Sequence, residues 1–435
     1  MAHLGMRGTG DWVADQRPKN WREQILYLYP NGMMPLTAIL AKTGSEGVDD
    51  PEFNWWTENI GDIIGDVANV YDDAACGTAY TSGGVVGTVV YIKIDDSVAN
   101  YIRVGHQILL RDASDWTVDV VGEVVFVDVI SGVNLSVIGV KLLEADDNST
   151  LGDLSDCDSF KIIGNINSEG AEMPDSVQRD PTKHYNYTQI FRTPLSITRT
   201  AKKTKLRTEN DYQKMKREAL EMHGIEMENA LLWGIRTEGT GDNGKPKRTT
   251  RGLINWIRSE AAANCDDYST NLTYAADSWL TSGEVWFDDL LEQIFRYGAQ
   301  EKLALCGSGA LLGLNRLAKQ GGQVNLTPDS AEYGLKVIQW ITPFGVINLK
   351  THPLFSYDAT TRNMMVIYEP KDLVFRYIDD TTFYPDKEKD SQNGKRVDAT
   401  IEEFLTEGGL EFHHAEKCGV LNGVGVDSSY TTAVP

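Results

Sequence analysis

Apolar residues recur along this chain with two distinct periods. Over residues 209–233 they fall at Tyr212, Met215, Ala219, Met222, Ile225 and Leu232, a spacing that lines one face of a helix. A helix of roughly 25 residues and about 38 Å is predicted. Thr208 with Asp211 supplies a capping box at its start, and Gly224 inside it costs about 1 kcal/mol of propensity, marking a point for a kink. From about Val67 to Ile166 the period drops to two, with β-branched residues alternating with acids. Strands are predicted over 87–94, 104–110, 118–130 and 133–143, the last two joined as a hairpin at Ser131-Gly132. Short strands at close spacing predict a small barrel or sandwich.

The rest is mixed, so the fold class is α+β. Residues 277–351 alternate, with helices predicted over 284–297 and 310–320 and strands over 302–306, 336–341 and 345–350, a compact α/β unit. Beyond Asn363 strands dominate, over 364–368, 373–377, 397–406 and 410–418, and the charged stretch PDKEKDSQNGKR reads as the tip of a long hairpin. Residues 164–179 are turn-rich, a return connection. The loop GTGDNGKPKRTTRG ends the long helix. The first 65 residues have little period: Trp12, Trp21, Tyr27, Tyr29, Trp55 and Trp56 lie among prolines and glycines, with a helical turn or two predicted over 35–42. Such aromatics must be buried, either on a neighbouring subunit or as an irregular layer on the chain's own body. No internal repeat is visible, and the last dozen residues read as a loose tail.

Charge narrows the function. The chain has 435 residues, with 63 acidic against 41 basic side chains and a net charge of -22; such a surface repels nucleic acid and excludes a sequence-specific DNA reader. Five scattered cysteines, with no C-x-x-C pair, indicate neither a disulfide framework nor a zinc site. Reduced thiols in a cytoplasm fit best. No apolar signal core opens the sequence and no membrane span is predicted, so the sequons at Asn186 and Asn271 read as chance matches. Acids such as Asp95, Asp112, Asp128 and Asp158 make the β module a solvated acidic face without a calcium-loop spacing.

Catalytic motifs dissolve on inspection. Gly307-Ser308-Gly309 precedes a helix where a dinucleotide loop would stand, but the third glycine comes one place late, so a tight strand-to-helix turn is the expectation. Gly239-Thr240-Gly241-Asp242-Asn243-Gly244 follows a helix rather than a strand. Ser308 lacks the glycine of a nucleophile elbow, since Cys306 stands in its place. His413 and His414 point to opposite sides of a strand, while His106, His184, His223 and His352 read as surface or hydrogen-bonded residues. No catalytic residue, cofactor or metal is assigned.

One stretch breaks the acidic trend: Arg192, Arg199, Lys202, Lys203, Lys205 and Arg207 crowd the approach to the long helix. They are expected to dock on the acidic β module or on a neighbouring subunit, setting register. The wording NYTQIFRTPLSITRTA followed by ALEMHGIEMENALLWG, then KRTTRGLINWI and, upstream, NWREQILYLYPNGMMPLTAILAK, resembles the tailed-bacteriophage major capsid proteins of the Hong Kong 97 fold. The resemblance implies an N-terminal arm (1–53), an extended loop (54–190) carrying an inserted β module (about 67–166), a peripheral domain (191–276 and 364–424) with a spine helix (209–233), an axial domain (277–363) and a tail (425–435). It implies a non-enzymatic head protein that assembles with itself into pentamers and hexamers of an icosahedral virion shell around double-stranded DNA, which is enclosed without sequence-specific contact. Synthesis in the host cytoplasm and contact with portal, scaffolding and decoration proteins belong to the same expectation. Two alternatives stand beside it: the shell of a cellular nanocompartment, and a nucleotide-binding oxidoreductase using the Gly307 loop.

Overall fold

The computed structural model describes Leu36, Leu40 and residues 44–58, 64–112, 119–129, 136–146, 154–170, 172–174, 176–177, 181–204, 211–320, 327–332, 335–385 and 398–426. The chain divides into two compact units, residues 56–183 and residues 1–55 with 184–435.

After β1 (Ser45–Gly47) and β2 (Glu52–Thr57), the first unit holds β3 (Ile64–Tyr71), β4 (Val89–Ile94), a short helix α1 (Asp96–Ala99), β5 (His106–Arg111), β6 (Val120–Asp128), β7 (Ser136–Leu142) and β8 (Ser159–Asn165). These six strands close into a barrel in the order β3-β4-β7-β6-β5-β8. Of the two expected forms the barrel is realised, and closure leaves no strand edge. Alternation drives it: Val90, Ile92 and Ile94 point inward with Ile108, Leu110, Val124, Ile138, Val140 and Phe160, while the residues between face out. The Ser131-Gly132 turn lies outside the described residues.

The second unit continues with β9 (Thr182–Tyr187), β10 (Gln189–Thr198), α2 (Arg199–Lys203) and α3 (Asp211–Trp233). The helix is unbroken through Gly224; Thr208 lies outside the described residues. A hairpin of β11 (Thr237–Thr240) and β12 (Pro246–Thr249) follows, then α4 (Leu253–Glu260), β13 (Cys265–Asp267), α5 (Trp279–Phe295), β14 (Glu301–Cys306), α6 (Ser308–Gln320), β15 (Thr327–Glu332), β16 (Leu335–Ile341), β17 (Val346–Thr351), α7 (Pro353–Tyr357), β18 (Met365–Tyr368), β19 (Leu373–Tyr384), β20 (Ala399–Phe412) and β21 (Gly419–Asn422).

Two sheets organise it. One runs β1-β19-β20-β10; the other is seven-stranded and mixed, in the order β13-β21-β18-β14-β17-β16-β15. The seven-stranded sheet draws β13, β18 and β21 from outside residues 277–363. Strand β14 shows why it is buried on both faces: Leu303 and Leu305 enter the core shared with α3 and α4, whereas Ala304 and Cys306 enter the core beneath α5 and α6, as a period of two requires. Where two strands were expected, over 397–406 and 410–418, the continuous strand β20 bridges the gap between them. Gly408 does not interrupt it because the Phe375 ring lies over it, where a Cβ would come within 2.5 Å of the ring. The pairing ends at Phe412, and His414 turns the chain with φ 51°. Strands β19 and β20 pair antiparallel, while the charged tip between them lies outside the described residues.

Candidate assembly surfaces and buried anchors

Strand β10 is the body's interface between core and surface. Phe191, Leu195 and Ile197 are buried, while Ile190 and Arg192 are exposed, an alternation set by the pleat. Arg192 donates to both carboxylate oxygens of Glu403 at 2.8 and 2.7 Å, across the antiparallel β10–β20 pair. Arg199 donates to Asp398 at 2.7 Å, and the Lys202 ammonium sits 4.3 Å from the centroid of the Tyr212 ring. From sequence these cations were expected to dock on the barrel or a neighbour. Arg192 and Arg199 pair with carboxylates of their own chain, Glu403 on β20 and Asp398 just before it, and both arginine side chains remain exposed. Lys203 is exposed; Lys205 and Arg207 lie outside the described residues.

The aromatic candidates separate likewise. Trp55 is only 9% exposed and stacks with Phe53 and His184 at 6.0 Å between centroids, so its indole belongs to its own chain's core. Its neighbour Trp56, pointing to the other side of β2, is 62% exposed. Trp12, Trp21, Tyr27 and Tyr29 lie outside the described residues.

Buried polar anchors, which sequence reasoning missed as a set, fix the elements to one another. Glu228 on α3 is fully buried; its Oε1 accepts the Leu36 amide at 2.8 Å and meets His352 Nε2 at 3.0 Å. His223, also on α3, bridges Thr193 of β10 at 2.9 Å and Thr406 of β20 at 2.8 Å, and burial pushes its imidazole below the usual range. The Lys302 ammonium spends its three N–H groups on Tyr297 O, Glu369 Oε1 and Lys417 O, each at 3.0 Å. The apolar spacing did not mark them: it pointed to a face that includes Met222, which is 56% exposed, whereas the helix buries the stripe Ala219, His223, Met227 and Leu231 with Glu228 beside it.

The motifs weighed for chemistry are structural. At the Gly307 turn the amides of Gly309 and Ala310 donate to Arg362 O at 3.0 and 3.2 Å, so the helix start is capped by the chain itself rather than open to a pyrophosphate. A Cβ on Gly307 would come within 2.2 Å of the same carbonyl. The 239–244 stretch forms the β11–β12 hairpin, its turn closed by Gly244 at φ 70°. Burial pushes the thiols of Cys157, Cys306 and Cys418 up to about 12, far from the thiolate that nucleophilic chemistry needs. His413 is held by Glu411 at 2.6 Å, and among the described residues no group of three or more His, Cys, Asp or Glu is placed to hold a metal.

Internal anchors lock the body, and the acidic barrel folds as a separate compact unit. The chain belongs to the SU10 major capsid protein family, whose model matches residues 7–425. It is similar to the major capsid protein of Pseudomonas phage PaMx41, 21% identical over 433 residues covering 93% of this chain and 92% of the relative. Solved structures that align include Mycobacterium phage Bobi (TM-score 0.46, 6% identity, 95% of this chain and 98% of that one) and Mycobacterium phage Cain (TM-score 0.45, 9% identity, 96% and 98%). The protein is thus a bacteriophage major capsid protein, a component of the virion and not an enzyme. Capsid proteins of this kind self-assemble into shells. No helix among the described residues is long and apolar enough to cross a membrane.

Proposed function

We propose that this chain tiles an icosahedral head as pentamers and hexamers, enclosing double-stranded DNA that it touches without reading its sequence. The observation that carries the reading is the family match across residues 7–425. In physical terms, unlike patches on one subunit meet head to tail and close into rings and then a shell. The aromatics Trp12, Trp21, Tyr27, Tyr29 and Trp56 are the candidate contacts between copies, together with Arg192, Arg199, Lys202, Lys203, Lys205 and Arg207. The net charge of -22 lets packaged DNA slide along the wall instead of adhering. Synthesis takes place in the host cytoplasm, and portal, scaffolding and decoration proteins meet the shell there. Truncation near Gly32 tests the role of the first residues: electron microscopy of the shortened protein is expected to show no closed shells, and unchanged shells would refute the assignment.

A further inference from the structure

Charge is distributed very unevenly between the two units. Residues 56–183 carry 22 acidic and 7 basic side chains, net -15 of the chain's -22. Barrels of neighbouring copies therefore repel one another, and a surface that offers cations would relieve that repulsion.

A candidate concavity lies on the body. A groove of about 500 Å³ opens between the start of β10 and the β11–β12 hairpin, walled by Thr188, Gln189, Ile190, Lys245, Lys247 and Glu407. Lys245 and Lys247, two residues apart on the hairpin, are exposed and form no ion pair among the described residues. By contrast Arg192, Arg199 and Arg248 are neutralised by Glu403, Asp398 and Glu238. Ile190, 57% exposed, adds apolar area at the same place.

We propose that this groove receives the acidic barrel unit of a second copy. The inference rests on self-assembly and names one of its contacts. Discrete carboxylates on a folded surface match two free ammonium groups beside an isoleucine. A continuous polyanion such as DNA matches less well, because Glu407 and Asp242 also line the wall.

The test mixes ¹⁵N-labelled and unlabelled full-length protein before assembly and joins touching ammonium and carboxylate groups with a water-soluble carbodiimide. Mass spectrometry is expected to find mixed-isotope linkages from Lys245 or Lys247 to acids within 56–183. Raising salt from 0.1 to 1 M, which cuts the screening length from about 10 to about 3 Å, is expected to reduce them roughly threefold or more. K245Q/K247Q, with circular dichroism confirming its fold, is expected to form fewer shells than wild type. Mixed-isotope linkages elsewhere but none joining these partners would overturn the groove assignment while leaving self-assembly standing. Lysines freed for reaction only after nuclease treatment would overturn it in favour of DNA. The absence of both shells and mixed-isotope linkages would remove self-assembly and this contact together.

Discussion

Glu228 and Leu36, 192 residues apart in sequence, are joined by a 2.8 Å hydrogen bond from the Leu36 amide to the buried carboxylate. His352 shares the same oxygen at 3.0 Å, so one side chain of α3 holds both an early segment of the chain and the start of α7. The segment's own contribution is apolar: Leu36 and Leu40 are both buried in the core shared with Met227 and Leu231.

Replacing Glu228 separates these roles. E228A leaves a buried amide and a buried imidazole without their acceptor and is expected to destabilise the unassembled chain by about 2–4 kcal/mol. E228Q keeps an acceptor and is expected to cost less. Urea unfolding followed by tryptophan fluorescence checks the order; equal stability of wild type and E228A would contradict it.

Ion pairs in this protein divide by burial. Lys302 is fully buried with three acceptors, and K302A strands the Glu369 carboxylate, an expected loss of about 3–5 kcal/mol. Arg192, on the solvent side of β10, is expected to cost under about 1 kcal/mol when replaced by alanine, since water screens the exposed pair. The same unfolding experiment compares them, and a larger loss from R192A than from K302A would refute the ranking.

Stability should fall in acid through two windows. Burial pushes the Glu411 carboxyl up, but hydrogen bonds from His413 and Arg376 outweigh it and hold the group below its usual range. Its stabilisation is therefore present above the unfolded carboxylate pKa of about 4.3 and is lost as pH falls through the folded value. Burial likewise lowers His223, so its contribution is present above about 6.5 and declines as pH falls below that and the unfolded chain takes up the proton first. Urea midpoints across pH 3–8 are expected to show the lower window flattened in E411Q and the upper one in H223Q. Profiles parallel to wild type would contradict the assignment.

Adjacent tryptophans give a paired test of cis against trans burial. W55A removes a core indole and is expected to cost about 3–5 kcal/mol in the isolated chain. W56S, at an exposed site, is expected to leave folding unchanged and to lower the yield of shells seen by electron microscopy. Normal shells from W56S would remove it from the contacts between copies.

What the sequence disclosed followed from periodicity. Barrel strands β4 to β7 and the strand–helix alternation after Asp277 are one-dimensional patterns produced by burying one side of an element, whereas β3, β8 and the stripe that α3 buries did not stand out in this way. The single strand β20 was hidden because Gly408-Gly409 looks like a break, and only the position of the Phe375 ring shows why glycine is needed inside a continuous strand. The partners of Arg192 and Arg199 were hidden for a related reason: the 211-residue separation of Arg192 from Glu403 is a matter of register, which a single sequence does not display. Gly307 was legible as a turn, but the Arg362 carbonyl that occupies its helix start comes from a distant loop. The buried anchors His223 and Glu228 lie on a face of α3 that the apolar spacing had not marked, since Met222 of the marked face is exposed.

Sedimentation velocity on the purified full-length protein, over a range of concentration and salt, tests the central claim most directly. The account predicts a concentration-dependent shift from single 48.3 kDa chains to one large, uniform species that microscopy shows to be hollow. A lone chain persisting at high concentration in every salt condition would contradict it.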